Sequence, residues 1–213
     1  MKMKSLVAGV AAIVALIAFS ACSDTDSEQP TQRNSSARVT SNSAVAGPHN
    51  QADVMFARHM IPHHEQAIEM SDVVVAKDGI DPLLIDLANQ IKAAQGPEID
   101  QMQGWLTEWG QSMMTSGQRT TSSMPGMEMP GDSGMGMNGM MSAEDMAALQ
   151  NAQGVDASRL YLTQMIAHHQ GAITMAQNEI DSGQYPDTIM LARSIAVTQQ
   201  QEITTMQTLL ASL

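Results

Sequence analysis

The apolar positions of this chain recur at helical spacing in four stretches. On a helix of 3.6 residues per turn, Met60, His63, His64, Ala67 and Met70 share one broad face. A second stretch places Leu84, Leu87, Ile91, Ile99, Met102 and Leu106 at the same period, and a fourth does so with Ile189, Ile195, Ile203, Met206 and Leu210. The third, between them, repeats the first as Met165, His168, His169, Ala172 and Met175. Asn50, with Asp53 three residues on, predicts a helix start, and that helix runs to about Ala76. Pro62 inside it should kink it, because proline cannot donate to the carbonyl of Arg58. Lys77-Asp78-Gly79 is a stop signal, and Asp81-Pro82 supplies an N-cap and first residue for the second helix. Gly96-Pro97 predicts a kink or a short break in it. Ser142-Ala-Glu-Asp145 resembles a capping box and opens a short helix to about Asn151. Asp156 is expected to cap the next helix, which ends near Gly183. Tyr185-Pro186-Asp187 opens the last, which runs to the C-terminus.

The stretches are two copies of one unit. Met60-Ile-Pro-His63-His64 and Met165-Ile-Ala-His168-His169 match at an offset of 105. At an offset of 104, Pro82 aligns with Pro186, Ile91 with Ile195, Gln95 with Gln199, Glu98-Ile99 with Glu202-Ile203, and Leu106 with Leu210. One deletion in the turn accounts for the change. Two amphipathic hairpins bury their apolar faces most simply against each other. The expectation is an all-α, four-helix bundle with pseudo-twofold symmetry.

Outside the bundle the chain changes character. Residues 1–21 read as a signal peptide: Lys2 and Lys4 precede an apolar run from Leu6 to Phe19, too short for a comfortable membrane span. Cys22, the single cysteine, follows a small residue and resembles a lipobox cysteine, which implies cleavage before it and lipidation. Residues 22–48 then form a lipidated, disordered tether, poor in large apolar groups, with His49 at its end and solvated. The folded domain spans 49–213: a hairpin over 50–110, a Met-rich loop over 111–141, and the short helix with the second hairpin over 142–213. The expected location is extracytoplasmic, on a bacterial membrane, held by the lipid alone.

Charge and composition narrow the partners. Removing the signal takes away two lysines and no acids, moving the net charge from −12 to −14. Nucleic acid and anionic lipid would be repelled, and cations attracted. A single cysteine gives neither a disulfide framework nor a thiolate metal site. Methionine is the anomaly, at 20 residues against two each of Trp, Tyr and Phe. Met124, Met127, Met129, Met135, Met137, Met140 and Met141 lie among Gly, Pro and Ser without helical period, so core packing does not explain them. Metal capture does, because thioether is their only distinctive chemistry. Met55, Met102, Met190 and Met206 are spaced like core residues.

The candidate ligands are therefore His63, His64, His168 and His169 with Met60, Met70, Met165 and Met175, and the loop methionines as a weaker collector. Copper(I) and silver(I) prefer thioether and imidazole. Zinc would accept the four histidines if the motif helices face each other. Imidazole ligands should be lost near their ordinary pKa of about 6.5, whereas thioether does not titrate. Glu98 and Glu202 are candidate hydrogen-bond partners behind the histidines, and in a structural or adaptor lipoprotein such bonds would be the histidines' whole role. A ferritin-like redox enzyme is the other alternative. No glutamate stands three residues before a histidine, as di-iron sites require, so a binding protein rather than an enzyme is expected, with a metal-exchange protein as a natural partner.

Phe56…Met60-Ile-Pro-His63-His64…Ala67…Met70, repeated as Tyr161…Met165-Ile-Ala-His168-His169…Ala172…Met175, resembles the bacterial domain-of-unknown-function family numbered 305 over about residues 50–212. The resemblance implies a ferritin-like helical fold. It also implies extracytoplasmic copper binding of the kind some members show in copper resistance. Ser158 stands where the first copy has Asp53, and Gln164 where it has His59, so the halves need not bind alike.

Overall fold

The computed structural model describes residues 47–111 and 138–213, which form five helices and no strand. These are α1 (Gln51–Val75), α2 (Pro82–Glu108), α3 (Ala143–Asn151), α4 (Gly154–Ser182) and α5 (Pro186–Ser212). The expected signal peptide, the expected tether with Cys22, and Met124, Met127, Met129, Met135 and Met137 lie outside the described residues. Among those described, no helix is long and apolar enough to cross a membrane.

Local chemistry sets most helix ends where the pattern places them. Asn50 accepts from the N–H groups of Ala52 and Asp53, while Asp53 accepts from the N–H of Asn50, a reciprocal cap. Asp81 caps α2 ahead of Pro82, and Ser142 with Asp145 caps α3. Two expectations are corrected. Asp156 does not cap α4: the helix begins at Gly154, its N-cap Gln153 makes no side-chain cap bond, and Asp156 sits in the first turn. There its carboxylate still favours the positive end of the helix dipole. Gly96-Pro97 does not break α2, which runs unbroken to Glu108. Pro97 is exposed, and Ile91, Gln95, Ile99 and Met102 around it are buried, so packing of one face overrides the local cost of proline. The exposed Pro62 likewise sits within a continuous α1.

Within each hairpin α1 packs on α2 and α4 on α5, and the hairpins meet mainly along α1 and α4, with thinner contact between α2 and α5. This is the expected all-α bundle of two duplicated hairpins. α3 caps it by packing on α1 and α4. The apolar interior is divided in two. One cluster holds Phe56, Met60, Ile99, Met102, Trp105, Leu106, Met175 and Ile195. The other holds Met70, Leu84, Ile91, Leu149, Tyr161, Met165, Ile203 and Met206. Met102 and Met206 are fully buried as core spacing suggests, and Met55 is half-buried, but Met190 is 64% exposed. Spacing alone could not tell that Met190 falls one position outside the buried stripe of Leu191, Ala192 and Ile195.

The two hairpins are also tied at one end by a buried carboxylate. Asp53 on α1 accepts from the N–H groups of Gln184 and Tyr185 and from the Thr188 hydroxyl. Burial alone would raise its pKa, but the hydrogen bonds from Asn50, Tyr185 and Thr188 outweigh it and hold the carboxylate below its usual range. Glu179, only 1% exposed, lies beside it, and burial together with the Asp53 charge pushes Glu179 up to about 8.

Candidate metal centre

Between the two apolar clusters lies a polar layer. Along α1 the order is Met60 in the first cluster, then His63 and His64, then Ala67 and Met70 in the second. Along α4 the order reverses, from Met165 in the second cluster through His168 and His169 to Ala172 and Met175 in the first. The antiparallel helices thus bring the two histidine pairs to one level, with a thioether from each helix on either side. His63 and His168 meet ring to ring, centroids 3.7 Å apart. The same level includes Gln95, between Ile91 and Ile99 on α2, and Gln199, between Ile195 and Ile203 on α5. Both glutamines are buried and carry side-chain atoms without a hydrogen-bond partner. The repeat alignment pairs them, yet nothing in sequence distinguishes them from surface glutamines.

All four imidazoles are buried, at 0–1% exposure. The outer two are held alike: His64 Nε2 is 2.7 Å from Glu98 Oε2, and His169 Nε2 is 2.7 Å from Glu202 Oε2. With the carboxylates ionised, Nε2–H donates and each Nδ1 keeps a bare lone pair. A carboxylate behind an imidazole fixes its tautomer and raises its basicity, as behind metal-bound histidines. The inner two are poorly satisfied. His63 Nε2 lies 3.2 Å from the Asn138 carbonyl, and His168 has a partner at neither nitrogen. In all, five ring nitrogens (Nδ1 of His63, His64 and His169, both of His168) are buried without a partner. Buried polar atoms are nearly always bonded, so five orphans in one layer call for a ligand. Among the described residues no three of His, Cys, Asp and Glu converge as a ready-made metal cage. A soft ion would therefore complete its coordination with thioether, which Met60, Met70, Met165 and Met175 supply from either side of the layer.

The titration of the inner pair departs from the expected value near 6.5. Burial, then the neighbouring His64, pushes His63 down to about 3, and burial, then His63, holds His168 well below its ordinary value. Both imidazoles stay neutral, and able to ligate, through mild acid. The same shifts set the stability of the metal-free protein. An unfolded chain takes up two protons below pH 6.5 that buried His63 and His168 refuse, so stability falls as pH drops from about 6.5 towards 3. Glu179 acts in the opposite sense. It holds its proton to about 8, so the stability this contributes is complete below about 4.5 and lost as pH rises through 8. Two imidazoles outweigh one carboxyl between 4.5 and 6.5, and above that only Glu179 acts. Thermal melts from pH 4 to 9 should show a maximum near pH 6.5, and Glu179→Gln should flatten the alkaline decline alone.

A short segment is strapped across this layer. Gln66 donates to the Met141 carbonyl at 2.9 Å and accepts from the Met141 N–H at 2.7 Å, while the Asn138 carbonyl faces His63. Gly139 has φ +81° and lies against the α4 backbone, where a Cβ at Gly171 would meet the Asn138 carbonyl carbon at 2.6 Å and Gly139 Cα at 2.9 Å. Met140 and Met141 of the Met-rich stretch are therefore half-buried beside the histidines rather than free in solvent. Gln66, Asn138, Gly139 and Gly171 carry no metal-site signature, and only the duplication hints at them, since Gln66 and Gly171 occupy equivalent places. His49 also departs from expectation: half-buried, it stacks on Trp109 with centroids 4.4 Å apart.

Comparison with known proteins places this arrangement. The family model described as "Domain of unknown function (DUF305)" matches residues 53–210. A DUF305 protein of Streptomyces coelicolor, described as a candidate secreted protein, is 33% identical with a TM-score of 0.65, over 76% of this chain and 91% of that one. A DUF305 fragment from Deinococcus radiodurans is 31% identical with a TM-score of 0.64, over 78% of this chain and 100% of that one. CopM in its Cu(I)-bound form is 28% identical with a TM-score of 0.59, over 76% and 98%. Cu(II)-bound and Ag-bound forms of CopM match similarly. No curated protein matches the chain. With the match running from Asp53 at the start of α1 to Leu210 near the end of α5, and both histidine pairs inside it, the chain belongs to the DUF305 family.

Proposed function

We propose that this chain is an extracytoplasmic, lipid-anchored binding protein for copper, with silver as an alternative cargo, that sequesters the ion or hands it to a partner protein. The observation that carries the reading is the buried layer of four imidazoles with five orphaned ring nitrogens. Imidazoles flanked by methionines favour a monovalent soft ion: the layer supplies polarizable donors, and Glu98 and Glu202 behind the outer pair balance the charge. Zinc fits less well, because among the described residues no third nitrogen, thiolate or carboxylate ligand joins any two at one point. CopM, similar along nearly its whole length, is recorded with Cu(I), Cu(II) and Ag. The kinship with a candidate secreted protein supports a place outside the cytoplasm, as does the signal segment. The lipid anchor rests on Cys22 alone.

Met140 and Met141 sit where a loop-borne ion would be passed inward, since their segment is clamped over His63. Binding rather than turnover is the reading the donor set favours, since Glu98 and Glu202 are each hydrogen-bonded to an imidazole. Copper(I) titration under competition with a chelating dye tests the reading. Changing all four histidines to alanine should remove the tightest ion while leaving weaker methionine binding. Unchanged stoichiometry and affinity would remove the histidines from the site.

A further inference from the structure

The two ends of the α1–α4 seam differ, although the duplication should make them alike. At one end α3 fills the space: Met146 and Leu149 join Met70 and Val74 in the core, and the Gln164 amide donates to the Asp145 carbonyl. At the other end no such plug exists among the described residues, and a cavity of about 240 Å³ remains. It is lined by Met55, Phe56 and His59 of α1 and by Met175, Asn178 and Glu179 of α4. Met55 and His59 are four residues apart on one helix, and Met175 and Glu179 four apart on the other, so each pair presents its donors to the same face.

The second copy lacks this set. At the offset of 105, Met55 corresponds to Leu160, His59 to Gln164 and Glu179 to Val74, and only Met175 keeps its donor, as Met70. Three positions that serve as plain packing or an amide in one half are thioether, imidazole and carboxyl in the other. Glu179 points to a ligand independently. It is 1% exposed, and neither carboxyl oxygen makes a hydrogen bond of good geometry, although Asp53 and Thr188 stand close to it.

We propose that this cavity is a second metal site, taking copper(I) or silver(I) through Met55, His59 and Met175, with the Glu179 carboxyl as an oxygen donor beside it. Two thioethers and an imidazole match the preference of these ions, and the Glu179 carboxyl offers an oxygen in the same buried wall. The site stands on residues other than the four central histidines, and only Met175 borders both.

The test is silver(I) titration of the full chain, freed of its leader, with 13C-methyl methionine and 15N histidine followed by NMR. The Met55 methyl and His59 ring signals should move with the first equivalents. Met55→Leu with His59→Gln installs the residues the second half already tolerates there. That variant should keep its fold, hold one silver ion fewer, or hold its last ion roughly tenfold or more weakly. His63 and His168 signals should still respond in it. Unmoved Met55 and His59 signals at saturation, or unchanged stoichiometry and affinity in the variant, would overturn the proposal. Movement of Met55 and His59 with silent His63 and His168 would leave this site standing and remove the central one.

Discussion

Replacing His168 by leucine should make the metal-free protein more stable, not less. His168 is 1% exposed and satisfied at neither ring nitrogen, and a buried polar group without a partner costs about 1–3 kcal/mol. Leucine removes that cost at similar volume, so Tm should rise by several degrees, given roughly 2–4 °C per kcal/mol in a domain of this size. The ranking should invert with silver(I) or copper(I) present. An ion that binds only the folded state adds about 4 kcal/mol at a thousandfold excess over its Kd, and the variant should lose most of that gain. Paired thermal melts with and without metal read both effects. If His168 were a packed structural residue, the substitution would instead lower Tm under both conditions. Stability sacrificed in the absence of a ligand is the usual mark of a site kept for binding.

The sequence carried the bundle well and the site only in part, for physical reasons. Helix number and pairing were legible because apolar period and caps are local: Asn50 with Asp53 and Ser142 with Asp145 act within one turn. The meeting of His63 with His168 was legible through the duplication, since symmetry-related motifs on antiparallel helices must cross at their midpoint. The failures were non-local. Whether Gly96-Pro97 breaks a helix depends on the face packed against α1, and whether His63 titrates near 6.5 depends on how completely its neighbours exclude water. The strap over the histidines depends on Gln66 and Gly171, residues seventy-five and thirty-odd positions from the segment they hold. Their chemistry is ordinary, and only the fold makes them specific.

Gly171 offers the sharpest test of that strap. Gly171→Gln installs the residue that the first half carries at the equivalent place, Gln66, and it suits a helix better than glycine by about 0.5 kcal/mol. Its Cβ nonetheless collides with the Asn138 and Gly139 backbone, and backbone cannot rotate away as a side chain can. The segment from Asn138 to Met141 should lift off. That breaks the two Gln66–Met141 hydrogen bonds and the His63–Asn138 contact, a loss of roughly 2–3 kcal/mol at about 1 kcal/mol each, offset in part by the helix propensity. Amide exchange should accelerate at Met141 with little change in the interior of α1 and α4, because their packing does not involve the strap. Losing the carbonyl partner would by itself lower the His63 pKa, but access of water relieves burial, the larger effect, so the pKa should move up towards the ordinary range. Unchanged exchange at Met141 would mean that the strap does not depend on glycine at this crossing. An accelerated exchange with the predicted rise at His63 would show that the end of the Met-rich segment seals the imidazole layer from water.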